Sequence, residues 1–278
     1  MTTSIHTNTS AMIALQNLNR TNDQLASTQS RVNTGLKVQG ARDNAAVWAV
    51  AQGQRADRGS LEAVTTSLKR ATSIADVSLA AGEQISDLLI ELKSKATAAS
   101  DESATLAMRT SYNDEFQALL KSVQSFADNA IFDGSNILDG SATAGINFLA
   151  SADGTETITL NRQNLTLAGL GLSTTPAAPD LLTKAKADDA LTRINTAIST
   201  STARLAELGA QSKQIERHTT YVGKLSDALE AGIGNLVDAD MAKESARLTA
   251  LQVQQQLGVQ ALSIANQAPQ IILSLFKN

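Results

Sequence analysis

The stretch LTRINTAISTSTARLAELGAQSKQIERHTTYVGKLSDALEAGIGNL, residues 191–236, decides the fold of this chain. Its apolar and small residues recur at alternating steps of three and four, from Leu191 through Leu208 and Ile215 to Leu236. This spacing predicts one uninterrupted helix with a heptad seam, which at about 1.5 Å per residue is a rod roughly 65–70 Å long. A rod of that length needs equally long partners, and the helices before residue 129 are the only candidates.

Residues 45–129 are rich in alanine and keep a helical spacing of apolar residues. We interpret them as two helices with a break near residues 100–104. Three apolar faces follow one another along this segment: Leu61, Val64, Leu68, Ala71 and Ala75, then Ile85, Leu88, Leu89 and Leu92, then Phe116, Leu119, Leu120, Val123 and Phe126. The bundle core is therefore expected to consist of aliphatic side chains on thin helical layers.

Both ends of the chain, residues 4–36 and 237–278, carry further apolar stripes at three- and four-residue steps. The first stripe contains Ala11, Leu15, Leu18, Leu25, Val32 and Leu36, and the second contains Val237, Met241, Leu248, Leu251, Leu262 and Ala265. Chain ends usually fray, so apolar residues at both ends indicate that the ends are buried. They can be buried against each other or against neighbouring subunits.

The middle of the chain has a different pattern. NAIFDGSNILDG, residues 129–140, contains two Asp-Gly pairs that mark turns. INFLASADGTETITLN, residues 146–161, sets Phe148 and Ala150 against Ile158 and Leu160 around Asp153-Gly154, which predicts a β-hairpin with a two-residue type I′ turn. TTPAAPD, residues 174–180, is typical of a linker.

These patterns predict a mainly α fold: a long antiparallel helical bundle or coiled coil with paired terminal helices and a small β-hairpin region in the middle. We expect residues 1–44 with 237–278 to form a terminal helical domain. The outer helical bundle then spans residues 45–236, in which 130–172 is the β-hairpin and turn region and 173–184 is the linker.

Composition excludes several classes of function. A net charge of -4 and a pI near 5.3 do not suit nucleic-acid binding, and no apolar run approaches the length of a membrane span. With no cysteine, disulfides, thiolate nucleophiles and thiolate zinc sites are excluded. The first twenty residues lack the basic and apolar regions of a cleaved secretory signal, so none is expected.

Candidate catalytic groups are sparse. The two histidines, His6 and His218, have no neighbouring ligand or base pattern, and Gly169-Leu170-Gly171 lacks the Lys and Ser/Thr of a phosphate loop. Acidic residues such as Asp238 and Asp240 stand where helices should begin and are better explained as caps. We therefore predict no enzyme activity and no catalytic, cofactor-binding or metal site.

Three segments resemble bacterial flagellins. RVNTGLKVQGARDNAAVWAVAQG (31–53) is similar to the family's Arg-Leu-Ser-Ser-Gly-Leu-Arg segment, and IFDGSNILDG (131–140) to its Phe-Asn-Gly-x-x-Leu-Leu-Asp-Gly turn. LVDADMAKESARLTALQVQQQLGVQALSIANQAPQIILSLF (236–276) resembles its C-terminal signature almost throughout. The resemblance implies a short flagellin without large outer domains, a structural subunit that self-polymerises into the extracellular flagellar filament used for swimming.

The resemblance also implies partners and a contact surface. The partners would be further copies of the chain or other flagellins, the type III flagellar export apparatus and its chaperone, and the hook-junction and cap proteins, with neither nucleic acid nor membrane. We expect the polymerisation interface to use apolar residues of both terminal helices: Leu15, Leu18, Leu25, Val32, Leu248, Leu251, Leu257, Leu262, Ile264 and Leu273.

Two alternatives remain open at this point. A flagellin-like junction protein between hook and filament would carry nearly the same motifs. A cytoplasmic coiled-coil signalling or scaffold protein would share the heptads, although its turnover would be expected to stay helical where this chain has a β-hairpin.

Overall fold

The computed structural model describes residues 7–173 and 178–275, with side chains up to residue 267. The described elements confirm the mainly α fold. In chain order they are α1 (Thr9–Thr34), α2 (Ala45–Ser100), α3 (Leu106–Asn129), β1 (Ile131–Phe132), β2 (Ser135–Asn136), β3 (Ile146–Leu149), β4 (Thr157–Leu160), α4 (Lys184–Val237) and α5 (Met241–Leu275).

The chain is divided into two compact units. The terminal unit contains the residues up to Ala56 and those from Ala228 onward, and the outer unit is Asp57–Asp227. The boundaries fall inside α2 and α4, some residues away from the predicted ones at 44/45 and 236/237.

Helix α4 supplies one wall of the outer unit's core. Six of its buried residues follow one another at seven-residue steps: Ala187, Ile194, Ser201, Leu208, Ile215 and Val222. This confirms the heptad seam expected from the sequence. The helix is longer than predicted because it begins at Lys184, where the Thr183 hydroxyl caps it by accepting from the Lys186 N–H at 3.4 Å.

Helices α2 and α3 supply the other walls of this core, and the predicted break between them is confirmed. The Asp101 carboxylate accepts from the Ser103 N–H at 2.9 Å, and Thr105 caps α3. The α3 face differs by one position from the predicted one: Phe126 is exposed, and Ala127 is buried in its place. The buried residues Phe116, Leu120, Val123 and Ala127 follow steps of four, three and four, which Phe126 does not continue.

The first Asp-Gly pair forms the tight hairpin turn. Strands β1 and β2 pair with Phe132 opposite Ser135, and the two residues between them, Asp133 and Gly134, have φ of 47° and 72°. Positive φ at both central positions is what a type I′ turn requires.

The type I′ turn predicted at Asp153-Gly154 is wrong, although the hairpin and its buried residues are confirmed. Strands β3 and β4 pair with Phe148 opposite Ile158, and seven residues separate them. Gly154 has φ of 71°, but Asp133 is the only non-glycine of the described chain with positive φ. The Asp153 carboxylate accepts from the Ser151 and Thr155 hydroxyls and the Thr155 N–H, which closes a longer loop and holds the pKa of Asp153 below its usual range.

In the terminal unit, the two helix interruptions lie beside each other. Gly35 ends α1 with φ of 72°, and Leu36 forms a β-bridge with Asp238. The Lys37 N–H donates to the Val237 carbonyl at 2.7 Å, and the Ala239 N–H donates to the Gly35 carbonyl at 2.8 Å. The buried residues of this junction are Val38, Ala51, Ile233 and Val237, with Leu36, Val47, Trp48 and Leu236 packed against them.

We predict that Leu208→Ala destabilises the outer unit by about 2–5 kcal/mol, because Leu208 is fully buried and the change leaves a cavity. Denaturant unfolding of the monomer measures the loss. Leu106→Ala, at a largely exposed leucine, is the control and should cost under about 0.5 kcal/mol. Equal losses at the two positions would contradict the assignment of Leu208 to the core.

We also predict that the change from glycine to alanine has opposite effects on stability at two positions. Gly134→Ala should destabilise by about 1 kcal/mol, because an L-residue is strained at positive φ. Gly59→Ala should stabilise by about 0.5–1 kcal/mol, because Gly59 lies inside α2 with open space around its Cα. The free energy of unfolding measures both, and stabilisation by Gly134→Ala would rule out the turn described here.

Candidate polymerisation interface

Helices α1 and α5 pack against each other in antiparallel orientation. The start of α1 contacts the later part of α5, and the end of α1 contacts the start of α5. Three polar contacts define this register. The Asn8 Nδ2 donates to the Ala265 carbonyl at 2.7 Å, the Gln255 Nε2 donates to the Asn22 Oδ1 at 2.8 Å, and the Arg31 Nη1 lies 3.3 Å from the Glu244 Oε1.

The apolar part of the pair lies between these contacts. Leu25 of α1 and Leu251 of α5 are buried. Leu18 of α1 lies against Gly258, where an added Cβ would come within 3.1 Å of the Leu18 Cδ1. We call this shared surface the inner face of the pair.

Helix α5 carries a second apolar face on its opposite side. Val253, Leu257 and Ile264 are spaced by four and seven residues and lie away from Leu251 and α1. Leu257 is 63% exposed and Ile264 is 62% exposed. We call these three residues the outer stripe. On α1, Met12, Ile13 and Leu15 are also exposed.

The structure divides the predicted interface residues between these surfaces. Leu25 and Leu251 are buried on the inner face, and four more are half-buried: Leu18, Val32, Leu248 and Leu262. Leu257 and Ile264 lie on the outer stripe. The side chain of Leu273 lies outside the described residues.

Leu15 does not share the face of Leu25, as the predicted stripe required. It is 47% exposed, because ten residues along an α-helix leave it almost a quarter turn away from Leu25. Leu36 lies beyond the end of α1 and belongs to the helix junction. Met241, assigned to the second stripe, is exposed.

Residues that an apolar pattern does not find complete the inner face. Glu244 and Thr28 are buried, and Asn22 and Gln255 bond to each other. A strict seven-residue count would have found part of this set, because Glu244, Leu251, Gly258 and Ala265 fall on one line. Asp240 caps α5 as predicted, accepting from the Ala242 and Lys243 N–H groups at 3.1 Å.

The Arg31–Glu244 pair is the main electrostatic feature of the terminal unit. Glu244 is only 8% exposed, and its Oε2 is buried without a hydrogen-bond donor from the described residues. A buried carboxylate depends strongly on its counter-ion, so this pair stabilises the register only while both partners are present.

One of the two histidines, His218, lies among the described residues. His6 lies outside the described residues. The Nε2 of His218 lies 2.7 Å from the Ala150 carbonyl, and its ring lies 5.8 Å from that of Tyr221, beside an open cleft of about 540 Å³ in the outer unit. Within residues 7–173 and 178–275, no group of three or more acidic or histidine side chains is placed to hold a metal ion.

No helix of the described chain is both long and apolar enough to cross a membrane.

Comparison with known proteins identifies the terminal regions. Residues 5–143 match the bacterial flagellin N-terminal helical region, and residues 191–276 match the bacterial flagellin C-terminal helical region. Flagellin FljK of Caulobacter vibrioides is 51% identical over 274 residues, covering 99% of this chain and 98% of the relative. A Brucella melitensis flagellin is 38% identical over 283 residues, covering 99% of each chain.

A solved structure shares the fold. A putative flagellar hook-associated protein from Vibrio parahaemolyticus matches with a TM-score of 0.57 and 11% identity, covering 70% of this chain and all of that one.

The paired terminal helices, the long outer bundle and these matches define a helical structural subunit of bacterial flagella. The chain belongs to the bacterial flagellin family. It is therefore a structural subunit of the flagellar filament, and its role in polymerisation and swimming follows from the family. The alternative of a cytoplasmic signalling or scaffold coiled coil is wrong, because the family match covers both halves of the chain.

We predict that Arg31→Met destabilises the α1–α5 pair by about 3 kcal/mol, because it leaves the Glu244 carboxylate buried without a counter-ion. The double variant Arg31→Met/Glu244→Met should recover most of the loss. Hydrogen exchange of α1 and α5 amides in the monomer measures both. Arg20→Met, at an exposed position of α1, is the control. An equal loss of stability there would show that the Arg31–Glu244 pair does not stabilise the helix pair more than an exposed arginine does.

Proposed function

We propose that the terminal helix pair is the polymerisation domain of this flagellin and that the outer stripe packs against neighbouring copies in the filament. The observation that supports this most directly is the pair of apolar faces on α5. The inner face is already covered by α1, so the outer stripe is left exposed in the single chain. A large exposed apolar surface on a soluble protein commonly marks an interaction site.

The energy available from the outer stripe is substantial for a polymer. Fully burying one side chain of this size contributes about 1.5–3 kcal/mol, so covering three half-exposed side chains contributes a few kcal/mol per subunit. In a helical assembly every subunit repeats the same contact, and the gain recurs along the filament.

The outer unit would then form the outer layer of the filament. Among the described residues from 141 to the start of α4, the regular elements are the two strands of the β3–β4 hairpin. A filament of this subunit should accordingly be slim and lack projecting domains.

We infer that the subunit is exported through the flagellar type III apparatus and that it acts outside the cell. The absence of cysteine from the sequence supports this route, since a disulfide-linked chain could not pass a narrow channel unfolded. Its partners would be an export chaperone, the hook-junction proteins and the cap, as for a flagellin, and it would have no enzymatic activity.

The sequence motifs alone leave open the alternative of a junction protein between hook and filament, and the Vibrio structure of similar fold is a putative hook-associated protein. That similarity concerns the fold alone, whereas the relatives that match nearly the whole chain are flagellins. Growth of purified protein on filament fragments distinguishes the two, because a filament subunit extends a seed by many subunits and a junction protein stops after a short layer.

We predict that Leu257→Asp and Ile264→Asp each abolish seeded polymerisation while the monomer keeps its helicity and stability. Both side chains are in water in the monomer, but a carboxylate in their place would have to be desolvated without a partner in the filament. Electron microscopy after seeding and circular dichroism of the monomer measure the two effects.

Ile90→Asp is the matched control for this experiment. Ile90 is 59% exposed on α2 in the outer unit, so the same chemical change is made at nearly the same exposure. It should polymerise. Normal filaments from Leu257→Asp, or loss of filaments equally from Ile90→Asp, would contradict the assignment of the interface to the outer stripe. Leu262→Asp is less informative, because Leu262 lies on the inner face and its loss also weakens the monomer.

A further inference from the structure

The far ends of the terminal helices carry no charged side chain. Residues 7–19 and 248–267 contain no Asp, Glu, Lys or Arg, and in the sequence the uncharged stretches extend to residues 1–19 and 248–276. At the chain's own charged content of 18%, segments of this length would carry roughly nine charges. Arg20 and Asp23 on α1, and Lys243 and Arg247 on α5, mark where charges resume.

Side-chain amides occupy the exposed positions where charges are usual. Gln16, Asn17 and Asn19 are exposed on α1, and α5 exposes Gln252, Gln254, Gln256 and Gln260. A helix face that remains in water normally carries mixed charges, which favour solubility and form i,i+4 pairs.

The amides of α5 point to both sides of the outer stripe. With Leu251 facing α1 and about 100° between successive residues, Gln252 and Gln256 lie on one flank and Gln254 lies on the other. A surface that is uncharged on both flanks, and not only along one apolar stripe, is expected where neighbours approach from several directions.

We propose that second copies of this chain pack against both flanks of α5, in contacts where amides hydrogen-bond and charges are excluded. This inference rests on the proposed function and specifies the chemistry of the same interface. A homopolymer supplies a physical reason for the exclusion, because any charge placed there is repeated in every subunit at short range and must also lose its water. An amide meets hydrogen-bond partners without either penalty.

The test is a near-isosteric exchange of amide for acid: Gln252→Glu, Gln254→Glu and Gln256→Glu, each made separately in the full chain. The three side chains are exposed in the monomer, so circular dichroism and denaturant unfolding should match the wild type. The critical concentration for growth on filament seeds at pH 7 should rise at least tenfold for each variant. This increase, relative to wild type at the same pH, should shrink between pH 7 and pH 5, because a carboxyl that is desolvated in the contact takes up a proton more readily.

Two controls separate charge from shape and from position. Gln254→Met keeps the length of the side chain without charge and should polymerise within a few-fold of wild type. Gln84→Glu makes the acid exchange at an exposed position of α2 in the outer unit and should have no effect.

The outcomes are distinct from those for the proposed function. If wild type extends seeds and Leu257→Asp does not, the proposal that the outer stripe packs against neighbouring copies is supported. Unchanged polymerisation of Gln254→Glu would then show that its flank of α5 faces water in the filament. Unchanged polymerisation of both Gln252→Glu and Gln256→Glu would show the same for the other flank. Either result would overturn the proposed packing of a second copy on that flank. The critical concentration could instead rise tenfold equally at pH 5 and pH 7, or rise as much for Gln84→Glu. Either result would show that exclusion of charge from the contact is not the cause of the rise.

Discussion

Antiparallel pairing of α1 with α5 is the constraint on which this flagellin depends, because it brings together two segments more than two hundred residues apart. The bridge between Leu36 and Asp238 aligns the two helix interruptions, and the Arg31–Glu244, Asn22–Gln255 and Asn8–Ala265 contacts continue the alignment along the pair. Each contact fixes the register at a different height. A pair aligned only by leucines could shift by one heptad, because its apolar contacts would be nearly equivalent after the shift.

The same pairing covers one apolar face of α5 and leaves the other exposed. Leu251 is covered within the chain, whereas Leu257 and Ile264 remain exposed. The inner face is itself only partly apolar, and few residues of α1 are fully buried. The outer unit has the opposite character, with six successive heptad positions of α4 buried. The distribution of buried residues thus supports the proposal that the terminal pair gains most from assembly.

Sequence periodicity was sufficient to predict the long helices, because a heptad repeat sustained over several turns fits only one kind of structure. The break at residues 101–105 and the capping by Asp240 were also predictable, since both depend on local side chains. The dipeptide alone predicts a type I′ turn at Asp153-Gly154, but the structure forms that turn at Asp133-Gly134. The two sites have the same dipeptide, and the Ser151 and Thr155 hydroxyls that favour a longer loop around Asp153 act through contacts that the dipeptide does not reveal.

The terminal surfaces show why the interface was harder to predict than the fold. A pattern of leucines identifies apolar residues but not the side of the helix that its partner within the chain will cover. The pattern alone therefore places residues of both faces in one interface. Leu251 and Leu257 are six residues apart and both fit a three-and-four alternation counted from different starting points. Only the position of α1 separates them. The separation matters for function, because a residue covered in the monomer contributes to folding, whereas a residue exposed in the monomer can contribute its burial energy to assembly alone.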